Sequence, residues 1–132
     1  MQMKIKSVFV ILFSVSLVFL SGCVTNPIVN VSDQSVVTNN PNYTEADVKK
    51  AIIRAGAGLG WNMNADKPGH ILATLHLRTH MAQVDINYNK QKYSITYKDS
   101  ENLDYDGKNI HRNYNGWIQN LDKAIKVQLN TL

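Results

Sequence analysis

Residues 71 to 97 read ILATLHLRTHMAQVDINYNKQKYSITY, and the alternation of apolar and polar side chains along them decides the fold. A period of two predicts strands that bury one face and expose the other. Residues 67 to 70, KPGH, predict a type II turn before the first strand. The residues predicted to face the core are Ile71, Ala73, Leu75 and Leu77, then Ala82, Val84, Ile86 and Tyr88, and finally Tyr93, Ile95 and Tyr97. The pattern predicts a meander of three antiparallel strands, with residues 61 to 63 as a fourth strand.

The turns between these strands predict how the strands pair. Residues 89 and 90 would form a two-residue hairpin turn that pairs Tyr88 with Gln91. In the preceding hairpin, we predict that Arg78 pairs with Met81. A slip of one residue would move the apolar side chains to the solvent face, so the alternation disfavours it.

Two amphipathic helices are predicted on either side of the meander. Thr44 is a suitable N-cap, and Asp47 three residues later approximates a capping box. Glycines at 56, 58 and 60 either end the first helix or let it pack closely on the sheet. The apolar positions with helical spacing are Val48, Ala51, Ile52, Ala55 and Leu59, then Ile110, Tyr114, Trp117, Ile118, Leu121, Ile125 and Leu129. We predict an α+β fold: a helix, an antiparallel three- to four-stranded meander and a long C-terminal helix, with both helices on one face of the sheet.

Residues 1 to 22 have the features of a lipoprotein signal peptide. Lys4 and Lys6 precede an apolar run from Val8 to Leu20. A helix of that length spans about 20 Å, which is short of the roughly 30 Å hydrocarbon core of a bilayer. The run therefore favours a cleaved export signal over a transmembrane anchor.

The motif Leu20-Ser21-Gly22-Cys23 resembles the bacterial lipoprotein box. The resemblance implies that Leu20, Ser21 and Gly22 are recognised by the signal peptidase and that the Cys23 thiol carries the lipid. An ordinary signal peptide with a chance cysteine is the alternative. No Asp follows Cys23, which in enteric-type sorting implies the periplasmic leaflet of the outer membrane. The predicted membrane partner is thus bound through acyl chains on Cys23.

The chain is predicted to divide into three segments. Residues 1 to 22 form the signal peptide, 23 to 42 an acylated cysteine and a flexible tether, and 43 to 132 a single α+β domain. The tether is rich in Asn, Ser, Thr and Val and carries one charge, Asp33. Its alternating valines leave open the alternative that it adds an edge strand to the domain.

Composition and charge exclude several classes of protein. The chain has 132 residues, with 44% hydrophobic and 18% charged side chains, which describes a foldable domain. Without Lys4 and Lys6, twelve basic residues face ten acidic ones, and the net charge falls from +4 to +2. This balance gives no support to nucleic-acid binding. Cys23 is the only cysteine, so no disulfide can form within the chain.

The polar face of the sheet and the segment from 99 to 113 contain the candidate partner surface. With the predicted pairing, Thr74, Asp85 and Ser94 would lie side by side, and so would His76, Gln83 and Thr96. A face of this kind is more often a solvated surface without a partner, and that alternative stays open. The candidate surface residues are His76, Gln83, Asp85, Asp99, His111 and Arg112.

Metal binding is disfavoured at both places that suggest it. His76 and His80 would be about 13 Å apart along a strand, too far for two Zn–N bonds of about 2 Å. Residues 102 to 107, NLDYDG, faintly resemble a calcium loop, but Asn113 stands where the bidentate Glu is expected. We predict no metal site and no cofactor.

Nucleophilic catalysis is also disfavoured. Ser94 and Ser100 are available as nucleophiles, and His111 could lie near Asp99 or Asp106. Nothing resembles a nucleophile elbow or a fixed triad spacing. We interpret His111 and Arg112 as residues that cap the second helix, and we predict that the protein is not an enzyme.

Three segments carry a resemblance to a group of small proteobacterial lipoproteins, which extends over residues 51 to 129. They are residues 78 to 80 (RTH), 93 to 103 (YSITYKDSENL) and 110 to 118 (IHRNYNGWI). The resemblance implies no particular activity. The order of elements also resembles the helix-grip domains of an accessory lipoprotein of the β-barrel assembly machinery, and such a likeness does not assign function.

Three functions are compatible with these patterns. The first is a lipid-anchored, periplasm-facing binding or accessory module with a partner protein in the envelope. The second is an inhibitor or immunity-type protein that blocks an envelope hydrolase, for which a rigid exposed loop would be typical. The third, a small enzyme, would need a pocket around His111, Asp99 and Ser100.

Overall fold

The computed structural model describes residues 24 to 132, and the predicted signal peptide and Cys23 lie outside this range. The elements are β1 (Thr25–Pro27), β2 (Val31–Ser35), α1 (Glu45–Gly58), β3 (Asn62–Lys67), β4 (His70–Leu77), β5 (His80–Tyr88), β6 (Lys92–Glu101), β7 (Asn109–His111) and α2 (Arg112–Asn130). The strands form a five-stranded sheet in the order β2-β6-β5-β4-β3 and a separate β1-β7 pair. All pairings are antiparallel. The α+β prediction is confirmed, as is β3 as the fourth strand of the meander.

One hydrophobic core joins the inward face of the five-stranded sheet to both helices. The alternating residues of β4, β5 and β6 supply the sheet side, and the helical residues predicted from their spacing supply the other side. Two predicted core residues lie elsewhere: Leu59 is 43% exposed and Leu77 is 45% exposed. Ile110 is buried, but it belongs to β7 instead of the second helix.

Local sequence signals set the ends of the helices. Thr44 and Asp47 form the predicted capping box, in which each side chain bonds the backbone N–H of the other residue. The His111 side chain accepts a hydrogen bond from the backbone N–H of Asn113 at 3.1 Å, which confirms its capping role. At Gly56 an added Cβ would lie 2.2 Å from the sulfur of Met63, so this glycine allows the helix to pack closely on β3.

The hairpin between β4 and β5 differs from the prediction by two residues. Arg78 was predicted to pair with Met81, but the strands end at the pair Leu77 and His80. Residues 78 and 79 form the turn, and Arg78 adopts a positive φ of 57°. The preceding turn agrees with the prediction, because Gly69 has the positive φ of 76° that a type II turn requires.

The hairpin between β5 and β6 also differs by two residues. Tyr88 pairs with Tyr93, so the predicted pairing with Gln91 is wrong. Residues 89 to 91 separate the two strands, so the two-residue turn is wrong as well. The side-chain carboxamide oxygen of Asn89 accepts the backbone N–H of Gln91 at 2.7 Å, and this contact favours the longer loop.

These shifts preserve the two faces of the sheet but change the neighbours on each face. A slip of two residues returns every side chain to its original face, because the side-chain period is two. The two predicted rows, Thr74-Asp85-Ser94 and His76-Gln83-Thr96, are therefore wrong. The observed pairs on the polar face are Thr74 with Gln83, His76 with Met81, Asp85 with Leu72 and Thr96, and Ser94 with Asn87.

The segment from 24 to 42 is part of the folded domain. β2 lies at the edge of the five-stranded sheet beside β6, and β1 pairs with β7. The prediction of a flexible tether is wrong here, and the edge-strand alternative is confirmed. The buried side chain of Asn115 holds the segment to α2: its amide donates to the Pro27 carbonyl at 3.0 Å, and its oxygen accepts the Val29 N–H at 3.0 Å.

We expect Asn115→Ala to loosen the first two strands, because it leaves the Pro27 carbonyl and the Val29 N–H without their partner. Leaving partly buried groups of this kind without a hydrogen-bond partner lowers the free energy of unfolding by about 2 kcal/mol. Urea denaturation followed by circular dichroism measures the loss. Asn120→Ala, an exposed change on the same helix, is the control. Equal stabilities for the two variants would contradict this account of the segment.

Candidate functional site

The six residues of the predicted partner surface are divided between two places. His76, Gln83 and Asp85 lie on the polar face of the sheet, and Asp99 pairs with Gln83 on the same face. The remaining two, His111 and Arg112, lie where β7 passes into α2. The structure therefore does not gather the six into one cluster.

Four ionisable side chains cross the polar face and link β3, β4, β5 and β6. Nδ1 of His70 lies 2.6 Å from a carboxylate oxygen of Asp66, and Nε2 lies 2.7 Å from a carboxylate oxygen of Asp85. The ammonium of Lys98 lies 3.6 Å from the same oxygen of Asp85. We call these four residues the histidine network. It includes Asp85 of the predicted surface, and the sequence analysis missed the other three.

The chemistry of the histidine network requires a charged imidazole. Ionised carboxylates only accept hydrogen bonds, so both ring nitrogens of His70 must donate. The hydrogen bond to Asp66, followed by the one to Asp85, raises the pKa of His70 above its ordinary value of 6.5. The same contact with His70 lowers the pKa of Asp66. With both nitrogens donating, His70 has no lone pair for a general base, and the network acts as a cross-strand clamp.

Asp66 and Lys98, the two outer residues of the histidine network, lie at shifts in the pairing of the strands. Asp66 lies where the pairing of β3 with β4 shifts by one residue, between Asn64 and Lys67. Lys98 is the extra residue at the shift between β6 and β5. Bulges of this kind redirect side chains across a sheet. The sequence signal was the spacing of Asp66 and His70 on either side of the predicted Pro-Gly turn.

We expect His70→Gln to destabilise the fold in a pH-dependent way. Because the folded state raises the pKa of His70, its stabilising effect is complete below about pH 6.5 and is lost as the pH rises through the folded-state pKa. The melting temperature of the variant should therefore fall further below that of the parent at about pH 6 than at about pH 9. His76→Gln, an exposed change on β4, should show no such difference. If the melting temperatures of variant and parent differed by the same amount at both pH values, the charged clamp would be ruled out.

A second cluster lies at the opposite end of β4 and β5. The ring of His80 lies 6.2 Å from that of His111 and 6.4 Å from that of Trp117. Nδ1 of His80 lies 2.6 Å from the Asn102 carbonyl and donates to it. His80 therefore donates from Nδ1, whereas His111 accepts at Nδ1 and carries its proton on Nε2.

The proton on Nε2 of His111 argues against metal binding by His80 and His111. His111 uses Nδ1 to accept from Asn113, so its Nε2 would have to lose its proton before it could bind a metal. Within residues 24 to 132, no group of three or more His, Cys, Asp or Glu side chains is arranged to hold a metal ion.

The side chains considered for nucleophilic catalysis form hydrogen bonds with other groups. The Ser100 hydroxyl lies 2.8 Å from the hydroxyl of Tyr97, and the Ser94 hydroxyl accepts the Asp33 N–H at 2.9 Å. Asp99 accepts the N–H of Ser100 at 2.8 Å. These contacts do not form a chain of hydrogen bonds from serine through histidine to aspartate.

An open groove between α1 and α2, with a volume of about 400 Å³, was not predicted from the sequence. Its lining is mainly apolar, and we call it the interhelical groove. Leu59 and Val127 are 43% and 53% exposed there, and Arg54 reaches across to Gln128 at 3.3 Å. The lining residues are Arg54, Ala55, Gly58, Leu59, Asn120, Lys123, Ala124, Val127 and Gln128. The available signal was Val127, which is apolar but lies outside the spacing of the core residues of α2.

The apolar surface continues from this groove toward the sheet. A smaller depression of about 70 Å³ shares Leu59 and Asn120 with the interhelical groove and is also lined by Trp61, Leu75 and Trp117. Trp61 and Leu75 belong to the buried core, and the partly buried Trp117 and the exposed Leu59 supply the accessible apolar surface here. Accessible aromatic and aliphatic side chains of this kind are typical of surfaces that bind apolar groups of a partner. Lys123 adds an exposed cation at the rim.

Comparisons of this chain with protein-family models, with curated proteins and with solved structures find no match. Of the helices within residues 24 to 132, neither is both long enough and apolar enough to cross a membrane.

Proposed function

We propose that this chain is a lipid-anchored envelope lipoprotein that faces the periplasm and acts as a binding or accessory module without catalytic activity. The interhelical groove is the observation that carries the binding role. The Leu20 to Cys23 motif supports the anchor, and the absence of Asp after Cys23 supports the outer membrane.

Acyl chains on Cys23 would make the attachment to the membrane stable. Each buried CH₂ contributes about 0.8 kcal/mol, so two or more chains hold a protein where one chain gives only marginal binding. The known lipoproteins that the motif resembles carry three chains on this cysteine. Membrane association then requires no transmembrane helix.

The proposed occupant of the interhelical groove is a segment of an envelope protein with an apolar side chain and a nearby carboxylate. The apolar side chain would contact Leu59, Ala124 and Val127, which are apolar and line the groove. The carboxylate would pair with Lys123 or Arg54 at the rim. Apolar burial would provide most of the affinity, and the exposed charges would orient the segment.

We expect Cys23→Ala to release the protein from the membrane fraction, because the thiol that carries the lipid is gone. Fractionation of cells followed by immunoblotting measures the release, and labelling with radioactive palmitate measures acylation. Val24→Ala keeps the motif and is the matched control. If the alanine variant at 23 stayed with the outer membrane as firmly as the control, the anchor would be disproved.

We expect a photo-crosslinking amino acid at Val127 to capture one discrete envelope protein in cells. The same probe at Leu77, an equally apolar and exposed position outside the groove, is the control. Ala124→Trp fills the groove and should abolish capture from Val127, with circular dichroism as the check on folding. Capture that persists in the filled groove, or equal capture from both positions, would refute this binding site.

One observation favours the inhibitor alternative. The loop of residues 102 to 108 is braced, because Asp106 accepts the backbone N–H groups of Lys108 and Asn109 at 2.9 and 2.7 Å. Tyr105 is 40% exposed on this loop and its ring lies 4.2 Å from that of Tyr97. A braced loop with an exposed aromatic side chain is suited to insertion into a cleft. Capture from Tyr105 instead of Val127 would favour this function.

A further inference from the structure

We propose that the lipid anchor holds one particular end of the domain against the membrane surface. That end comprises β1, β7, the turn at residues 78 and 79, and the loop of residues 102 to 108, and we call it the anchor end. The inference rests on the proposed acylation of Cys23. It adds to that proposal the face that the domain turns toward the lipid headgroups.

The chain leaves no slack between Cys23 and the folded domain. The carbonyl of Val24, the next residue, accepts the backbone N–H of Arg112 at 3.1 Å. Thr25 is already paired with His111 in the β1-β7 sheet. Consecutive Cα atoms are about 3.8 Å apart, so an acylated Cys23 is one peptide unit from a fixed point of the fold.

Hydrogen bonds join the parts of the anchor end to one another. The Ile28 N–H donates to the Lys108 carbonyl at 3.0 Å, and the His111 N–H donates to the Leu103 carbonyl at 2.8 Å. The Asn102 side chain donates to the hydroxyl of Thr79 in the turn between β4 and β5 at 2.7 Å. The anchor end is therefore a braced surface around the attachment point.

The opposite end of the domain lies one strand length away. It contains the loop after β5, the turn before β4 and the start of α1, where the Tyr43 hydroxyl donates to the Lys90 carbonyl at 2.8 Å. β5 runs from His80 to Tyr88, a length of roughly 27 Å at about 3.4 Å per residue. A domain held by the anchor end would keep this opposite end well away from the headgroups.

The side chains at the anchor end suit a lipid interface. Val24 and Tyr105 are 51% and 40% exposed, and tyrosines are enriched at the headgroup level of membranes. Arg78, Lys108 and Arg112 add three cations, and Asp104 and Asp106 offset two of them. These charges nearly cancel, and the short covalent connection sets the orientation.

The experiment uses the fact that Cys23 is the only cysteine of the chain. Once it is acylated, an introduced cysteine is the single free thiol available for a nitroxide label. Lys108→Cys places the label at the anchor end, and Gln91→Cys, an exposed change in the loop after β5, places it at the opposite end as the control. The acylated full-length protein is bound to phosphatidylethanolamine–phosphatidylglycerol vesicles, and paramagnetic resonance measures the access of a water-soluble nickel reagent.

We expect vesicle binding to reduce nickel access severalfold at position 108 and to leave it unchanged at 91. A glycine-serine spacer of about twenty residues after Cys23, with a reach of about 25 Å, should restore access at 108. Equal access at the two positions in vesicle-bound protein would overturn the inference, as would protection that survives the spacer. If the protein does not float with the vesicles at all, the acyl anchor is absent, and the proposed function fails together with the inference.

Discussion

Burial of one face of the five-stranded sheet against α1 and α2 is the constraint on which the remaining structure depends. Residues with almost no exposure, such as Ile71, Ile86 and Ile118, meet in this single core. The edge strand β2 and the residues flanking it extend the core, because Val31 of β2 and the neighbouring Ile28 and Val36 pack against the same cluster. The other face of the sheet remains polar, and the histidine network occupies part of it. Apolar burial thus decides which surfaces are left for a partner.

The sequence was sufficient to predict both helices, the strands β3 to β6 and the faces of the sheet, but not β1, β7 or the pairing of the strands. Alternation excludes a slip of one residue, whereas a slip of two residues places the same side chains on the same face. The turns decide between these registers, and they depend on local details such as the side-chain hydrogen bond of Asn89 and the positive φ of Arg78. The cap at Thr44 was predicted correctly because it involves only residues close in sequence.

The candidate site was harder to predict than the fold. Its side chains are brought together by register shifts in the sheet and by the packing of the two helices. Asp66 and Lys98 reach the polar face from shifts in strand pairing, which no simple period reveals. The interhelical groove depends on how α1 and α2 pack, which the sequence does not reveal. Val127 is the exception, because its position outside the core spacing of α2 indicates an exposed apolar side chain. His111 was predicted as a capping residue, and its contact with the Asn113 backbone bears this out.

The contacts of Asn115 have a consequence for the order of folding. The side chain bonds Pro27 and Val29, residues that precede it by 88 and 86 positions. β1 likewise has its partner in β7, near the far end of the chain. Closing such long loops costs entropy before any contact compensates it, and contacts distant in sequence slow folding. A chain made from its N-terminus therefore produces its first strands long before their partners exist, and the domain can be completed only when nearly all of it has been synthesised.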